Sequence, residues 1–279
     1  MIELRRCVRL VINPPGAGGD AGAPDFSGSN GFGGTPPARG LARYYEFEVT
    51  CRGEADAATG YLINIKDVDR AVRATVGPRV FEACRDEPWT EPASMLPGLA
   101  ESLASALPVR LARLRWRVTP TYSVEIEMDS DRETGDVVVL RQRFDFAAAH
   151  RLHDPAQSDE ANRALFGKCN NPSGHGHNYQ VEPAVEVSVR ETGEGVGFTL
   201  ANLERLTEAA VIEPFDHTHL NRDTEDFGPG GVNPSVEHMA RVFFERLRSA
   251  MASDEGGRGA RLRSVRVWET DRTSATYPG

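Results

Sequence analysis

Apolar and polar positions alternate over residues 40–51, GLARYYEFEVTC, which predicts a strand with one buried face. A turn follows, then a short apolar strand in GYLINI and a helix on which Val68, Val72 and Val76 recur at helical spacing. The same succession returns from residue 174. GHGHNYQVEPAVEVSVR reads as a strand, VGFTL as a short apolar strand, and Leu200, Leu203 and Leu206 mark a helix. Each copy then carries a second helix, with Met95, Leu99 and Leu103 in the first and Met239, Val242, Phe243 and Leu247 in the second. Ser235 is placed to cap the latter. Each copy closes on a strand pair, LARLRWRVTPTYSVEIEM and RLRSVRVWETDRTSATYPG, and each is preceded by a leading strand, CVRLVIN and VVVLRQRFDFAAAH. The pattern predicts two similar α+β units, residues 1–130 and 131–279, joined at the polar turn DSDRETG, 129–135. The Gly/Pro-rich segment 13–40 lacks a following Gly-Lys-Ser/Thr, so it is expected to be a long loop over an oligomer surface, or partly disordered, and not a phosphate cradle.

Composition narrows the function classes. With 39% hydrophobic residues, 279 residues can build packed cores, which excludes global disorder. A net charge of −9 argues against a broad nucleic-acid surface, and lysine occurs only at Lys66 and Lys168. No run approaches the roughly 18 apolar residues of a membrane span. The start, MIELRRCVRLVINPPG, lacks the apolar core of an export signal, so a cytoplasmic protein is expected. Four cysteines, Cys7, Cys51, Cys84 and Cys169, are too few and too scattered for a disulfide framework.

The seven histidines all lie after residue 149, so any imidazole chemistry belongs to the second half. His175 and His177 stand two apart on a predicted strand, which turns both rings to one side. His150 ends another strand and becomes a third ligand if the two strands pair. Three histidines with an open fourth position are the pattern of a catalytic zinc site. Cys169, six residues before His175, is a fourth ligand, an inert thiol, or a reactive thiolate beside Lys168. Asp216-His217 supplies a carboxylate and an imidazole in a loop, and Glu269 ends a strand in VWETD.

In order over about residues 137–279, FDFAAAHRLH, FGKCNNPSGHGHNYQV, EPFDHTHLN, NPSVEHMARVFFERL and VRVWETDRTSATYPG resemble the 6-pyruvoyl-tetrahydropterin synthase family. The resemblance implies zinc on His150, His175 and His177. It implies Cys169 as catalytic base, Asp216 and His217 relaying protons with it, and Glu269 anchoring a pterin ring. The implied reaction converts dihydroneopterin triphosphate to 6-pyruvoyl-tetrahydropterin with loss of triphosphate. Substrate side-chain hydroxyls would take the open zinc position, and no nicotinamide or flavin is needed. The spacing of Cys169 to the histidine pair fits the pyruvoyl-forming branch. The related 6-carboxytetrahydropterin synthase activity, of the 7-deazaguanine pathway, and a pterin-binding scaffold without turnover are the alternatives. Intact Cys169, Asp216 and His217 speak against a mere binder. The implied fold is α+β, a tandem tunnelling fold whose antiparallel sheets close a barrel in a homo-oligomer, with active sites at subunit interfaces.

Departures from the family pattern concentrate in the first half. Aligned on the repeat, Leu41 and Arg43 stand where His175 and His177 stand, Val118 where Glu269 stands, Val80 where Asp216 stands, and Asn13 or Pro14 where His150 stands. No cysteine matches Cys169. The first unit is therefore expected to be non-catalytic. In the second, Pro183 is expected to force a bulge or an edge, and His219 replaces a frequent asparagine.

Overall fold

The computed structural model describes residues 1–16, 25–29, 31, 33–128, 137–189, 197–257 and 259–278. Contacts divide the chain into two compact units, Met1–Leu140 with Val187–Val196, and Arg141–Glu186 with Gly197–Gly279. The expected joint at 129–135 lies outside the described residues.

The first unit starts with an antiparallel pair, β1 (Ile2–Ile12) and β2 (Arg43–Gly53), in register from Ile2↔Gly53 to Ile12↔Arg43. Then come α1 (Ile65–Asp86), α2 (Pro92–Ala106), β3 (Arg110–Arg117) and β4 (Tyr122–Glu127). β2 pairs β3 and β3 pairs β4, both antiparallel. GYLINI forms no strand. Asn64 accepts a hydrogen bond from the Lys66 N–H at 3.0 Å and starts α1 instead, a capping demand that overrides a short apolar run. Val68, Val72 and Val76 are fully buried on one face of α1, as are the β-strand residues Val8, Phe47 and Leu114 of the same unit. Within segment 13–40, Phe26 is buried at 5% exposure. Its ring lies so close to Gly77 that a Cβ there would sit 3.0 Å from it, so this part of the loop packs onto α1.

β5 (Val137–Gln142) leads into the second unit. The single leading strand expected over 137–150 is broken at Arg143, and β6 is Phe144–His150. α3 (Asp159–Phe166) and a 3₁₀ turn (Gly167–Asn170) follow, then β7 (His175–Ser188). β6 and β7 are antiparallel, with Phe146↔Tyr179, Ala148↔His177 and His150↔His175 as register pairs. β7 runs through Pro183 unbroken, two residues beyond the last β6 pair at Val181, and it pairs β9 as well, so it is no edge strand. VGFTL forms no strand in its described part, because Thr199 caps α4 (Leu200–Thr207) in a reciprocal box with Asn202. A π-helical turn (Glu208–Ile212) and the short α5 (Glu213–Phe215) carry the chain to β8 (Thr218–His219), α6 (Leu220–Asp223) and α7 (Val236–Ser253). β9 (Ala260–Thr270) and β10 (Thr273–Tyr277) close the unit as an antiparallel pair.

Both units thus read as strand pair, helices, strand pair. Ser235 caps α7 as its sequence predicts. The apolar stripe of α7, Met239, Ala240, Phe243 and Leu247, is buried, and the Phe243 ring meets Phe146, Phe215 and Phe227 within 6.5 Å between centroids. Among the described residues no helix is long and apolar enough to cross a membrane.

Candidate active site and metal centre

β6 ends on His150 and β7 begins on His175, so the antiparallel register sets these two residues opposite each other. His177, two positions along β7, presents its ring on the same side. Donor nitrogens of the three imidazoles lie within 4.8 Å of one another, with His150 Nε2 and His175 Nε2 3.2 Å apart. Among the described residues this is the one cluster of histidine, cysteine or carboxylate groups able to hold a metal ion.

Its support is built from the backbone. His150, fully buried, donates from Nδ1 to the Pro234 carbonyl at 2.8 Å, which leaves Nε2 as the free lone pair. Burial and the neighbouring imidazoles push the His150 pKa down to about 4, so the ring is neutral at physiological pH. Burial also lowers His177. Gly174, at φ +74, lets the chain turn into β7. A Cβ there would meet His219 Nε2 at 2.7 Å and the His150 carbonyl at 3.0 Å. At Gly176 the closest neighbour of a Cβ would be the Ala148 carbonyl at an ordinary 3.6 Å, so that glycine is not required by close approach.

Glu269, near the end of β9, places Oε1 3.4 Å from His150 Nε2 and 3.5 Å from His177 Nε2. His177 Nε2 is buried with no hydrogen bond. Imidazole nitrogens converging on one point, one of them orphaned, beside a carboxylate are the donor set of a divalent cation. Cys169, on the 3₁₀ turn, lines a cavity of about 740 Å³ together with His175, His177, Lys168, Arg163 and Arg151. Burial, and then the Glu269 charge, push its thiol pKa up.

Asp216 and His217 lie elsewhere. The Asp216 carboxylate accepts the Ala147 N–H at 2.8 Å and the His217 Nδ1–H at 2.7 Å, contacts that hold its pKa below the usual carboxylate range. His217 is 83% exposed and sits at φ 56, the left-handed region that costs a non-glycine residue energy. It lines a separate cleft of about 460 Å³ with Ala147–Ala149, Asn178 and Thr218, which shares only His177 with the Cys169 cavity. The structure therefore gathers His150, His175, His177, Glu269 and Cys169, and leaves His217, held by Asp216, in a separate cleft.

Residues that the sequence does not single out support the centre. Besides the Pro234 carbonyl, Asn233 accepts the His153 N–H through Oδ1 at 3.2 Å and the His238 Nδ1–H through its carbonyl at 2.8 Å. Tyr179, fully buried, carries a hydroxyl with no partner. Burial, then the Glu269 and Cys169 charges, hold that hydroxyl in its protonated form. Trp268, beside Glu269, has the Arg143 and Arg266 guanidinium carbons 4.7 and 4.5 Å from its ring centroid. In the first unit the pair Ile12↔Arg43 takes the strand-end register that His150↔His175 takes in the second. Strand register thus sets Arg43 against His175, two positions from the repeat alignment.

The family model for 6-pyruvoyl tetrahydropterin synthase matches residues 139–279. The chain belongs to this family. The human 6-pyruvoyl tetrahydrobiopterin synthase is 36% identical over 140 residues, covering 50% of this chain and 90% of the relative. A 6-carboxy-5,6,7,8-tetrahydropterin synthase of Haemophilus influenzae is 24% identical over 156 residues, covering 50% and 96%. Among solved structures, the Caenorhabditis elegans 6-pyruvoyl tetrahydropterin synthase is 35% identical with a TM-score of 0.45, covering 51% of this chain and 96% of that one. The stretch matched by the 6-pyruvoyl tetrahydropterin synthase family model contains every residue of the candidate site.

Proposed function

We propose that this chain is a zinc-dependent lyase that converts dihydroneopterin triphosphate to 6-pyruvoyl-tetrahydropterin and releases triphosphate. The observation that carries the reading is the convergence of His150, His175 and His177, the last two of which line the same cavity as Cys169. His150, His175 and His177 would hold the zinc. When bound, zinc supplies Lewis acidity that makes a side-chain hydroxyl of the substrate easier to deprotonate. The residues of the chain do the rest. Glu269 accepts hydrogen bonds from the donor edge of the aminopyrimidinone and so orients the ring. Cys169, in the same cavity, would take a proton from side-chain carbon as its thiolate, the form that the charge of a bound zinc would favour against the burial that raises its pKa. Asp216 holds the His217 ring by its Nδ1–H, which leaves Nε2 to move protons.

Because Asp216–His217 and Cys169 line different clefts of one chain, the relay is proposed to work across a homo-oligomer, in which the pair from one copy serves the cavity of another. The assembly is a barrel of tunnelling-fold units in tandem, the first of each chain blank because it carries no histidine. A cytoplasmic setting is proposed with this function. Incubating the purified protein with dihydroneopterin triphosphate and identifying the products by mass spectrometry tests the reading. Equimolar 6-pyruvoyl-tetrahydropterin and triphosphate are expected. A 6-carboxy product would assign the other branch, and no turnover by a zinc-loaded protein would leave only a binding role.

A further inference from the structure

A second cavity, of about 650 Å³, adjoins the one that Cys169 lines, and the two share Arg151 and Pro172. Two guanidinium groups, Arg151 and Arg222, and two imidazoles, His153 and His219, line it, against one carboxylate, Asp154. In a chain of net charge −9 this is a local reversal of sign. Asp154 is spent within its own turn, where it accepts the Ala156 N–H at 3.0 Å and the Gln157 Nε2–H at 2.8 Å. Arg222 has no carboxylate within ion-pair distance among the described residues. Its neighbour Asp223 accepts the His219 N–H at 2.7 Å instead.

The other donors are held in place. Arg151 donates its backbone N–H to Asn221 Oδ1 at 2.7 Å and its Nε–H to the Asn170 carbonyl at 3.1 Å. Asn170 also sets the tautomer of His153. Its amide Nδ2 donates to the Leu152 carbonyl at 2.7 Å and to His153 Nδ1 at 3.1 Å, while its Oδ1 faces Arg151 Nη2 at 3.4 Å. The neutral imidazole therefore accepts at Nδ1 and carries its hydrogen on Nε2, a donor with no partner among the described residues. Part of the wall is bare backbone. A Cβ at Gly228 would stand 2.4 Å from the Thr224 carbonyl oxygen, and one at Gly231 2.3 Å from that of Asp226, so this turn closes only with glycine. A wall without side chains leaves room for a bulky anion, and unpaired guanidinium forks are the usual partners of phosphate.

We propose that this second cavity is a polyphosphate subsite, in which Arg222, Arg151 and the Nε2–H of His153 grip a linear phosphate chain. Arg151, common to both cavities, stands where such a chain would cross from one to the other. The source of the chain rests on the function proposed above: a dihydroneopterin triphosphate with its ring and side-chain carbons in the Cys169 cavity would send its tail here. The subsite would then hold the triphosphate through its release from carbon. A free polyphosphate has the same chemistry and is the other source.

The test titrates the full chain with inorganic triphosphate by calorimetry at fixed ionic strength. The wild type should bind it, and Arg222→Ala and His153→Ala should each weaken binding by about 10-fold or more, the usual weight of a hydrogen bond to a charged group. Arg222→Lys should recover part of the loss, since it restores the charge without the fork. A wild type that does not bind overturns the proposal. So does binding that both alanine variants leave unchanged, or that Arg163→Ala and Lys168→Ala abolish instead, because those two cations line only the Cys169 cavity. Turnover then separates the sources. A KM for dihydroneopterin triphosphate raised in Arg222→Ala, with kcat held, assigns the subsite to the substrate's tail. An unchanged KM keeps the subsite and assigns it to a free polyphosphate. If no pterin is turned over at all, the function proposed above falls, while the calorimetry still decides the subsite.

Discussion

His150 and Pro234 are 84 residues apart in the chain, yet the imidazole Nδ1 of one lies 2.8 Å from the carbonyl of the other. The bond fixes the tautomer of a fully buried ring and aims its free nitrogen at His175. Since only the second unit has such a triad, the purified protein should hold about one zinc per chain, measured by atomic emission against protein concentration. His175→Ala should empty it. Two tightly held equivalents per chain would contradict a blank first unit.

Cys169 is assigned as a base and not as a ligand. Cys169→Ala should keep its zinc and its thermal midpoint while turnover falls by at least about 100-fold, the usual weight of a general base. Loss of zinc from this variant would make the cysteine a fourth donor.

The separation of Cys169 from His217 gives a complementation test. Cys169→Ala and His217→Ala chains, each inactive alone, should regain part of the wild-type activity when co-expressed, because some cavities then combine an intact cysteine with an intact pair. No recovery in proven mixed oligomers would place the relay within one chain.

Phe243 is fully buried against the rings of Phe146 and Phe215 at 5.7 and 4.9 Å. Phe243→Ala should cost about 3–5 kcal/mol, read from denaturant unfolding followed by signals of the second unit. A cost below about 1 kcal/mol would show that α7 repacks freely.

The Asp216 carboxyl is held below its ordinary range, chiefly by the Ala147 N–H and then by His217. Its folded-state pKa is the lower one, so its contribution to stability is present above the unfolded value near 4 and disappears as pH falls through the folded value. Asp216→Asn should therefore lose stability less steeply than the wild type between about pH 4 and 2.5, in thermal melts at matched ionic strength. Parallel acid limbs would show that the two hydrogen bonds do not favour the charged form.

Much of the site was legible because it follows from periodicity. His175 and His177 share a side of one strand, and His150 ends the strand that pairs with it, so local pattern and one pairing suffice. The carboxylate of Glu269 against two of those rings was not legible, because Glu269 lies 92 residues beyond His177 in the chain and 119 beyond His150. Pro234 acts through a carbonyl, a group every residue has, and leaves no mark in the sequence. The fold was read well where helices carry regular stripes, as in α1 and α7, and misread where capping competes with short apolar runs. Asn64 and Thr199 start helices where strands were expected. Arg143 divides one expected strand into two.

Trp268 precedes Glu269 in β9 and rests against Arg143 and Arg266. Trp89 and Trp116 both lie in the first unit, the former 95% exposed and the latter buried. Replacing those two with phenylalanine leaves a single indole, flanked by guanidinium groups and one peptide bond from the carboxylate that meets the imidazoles. Its emission responds to any shift of the end of β9, so the protein carries its own optical reporter, and occupancy of the centre becomes a titration that needs no attached label.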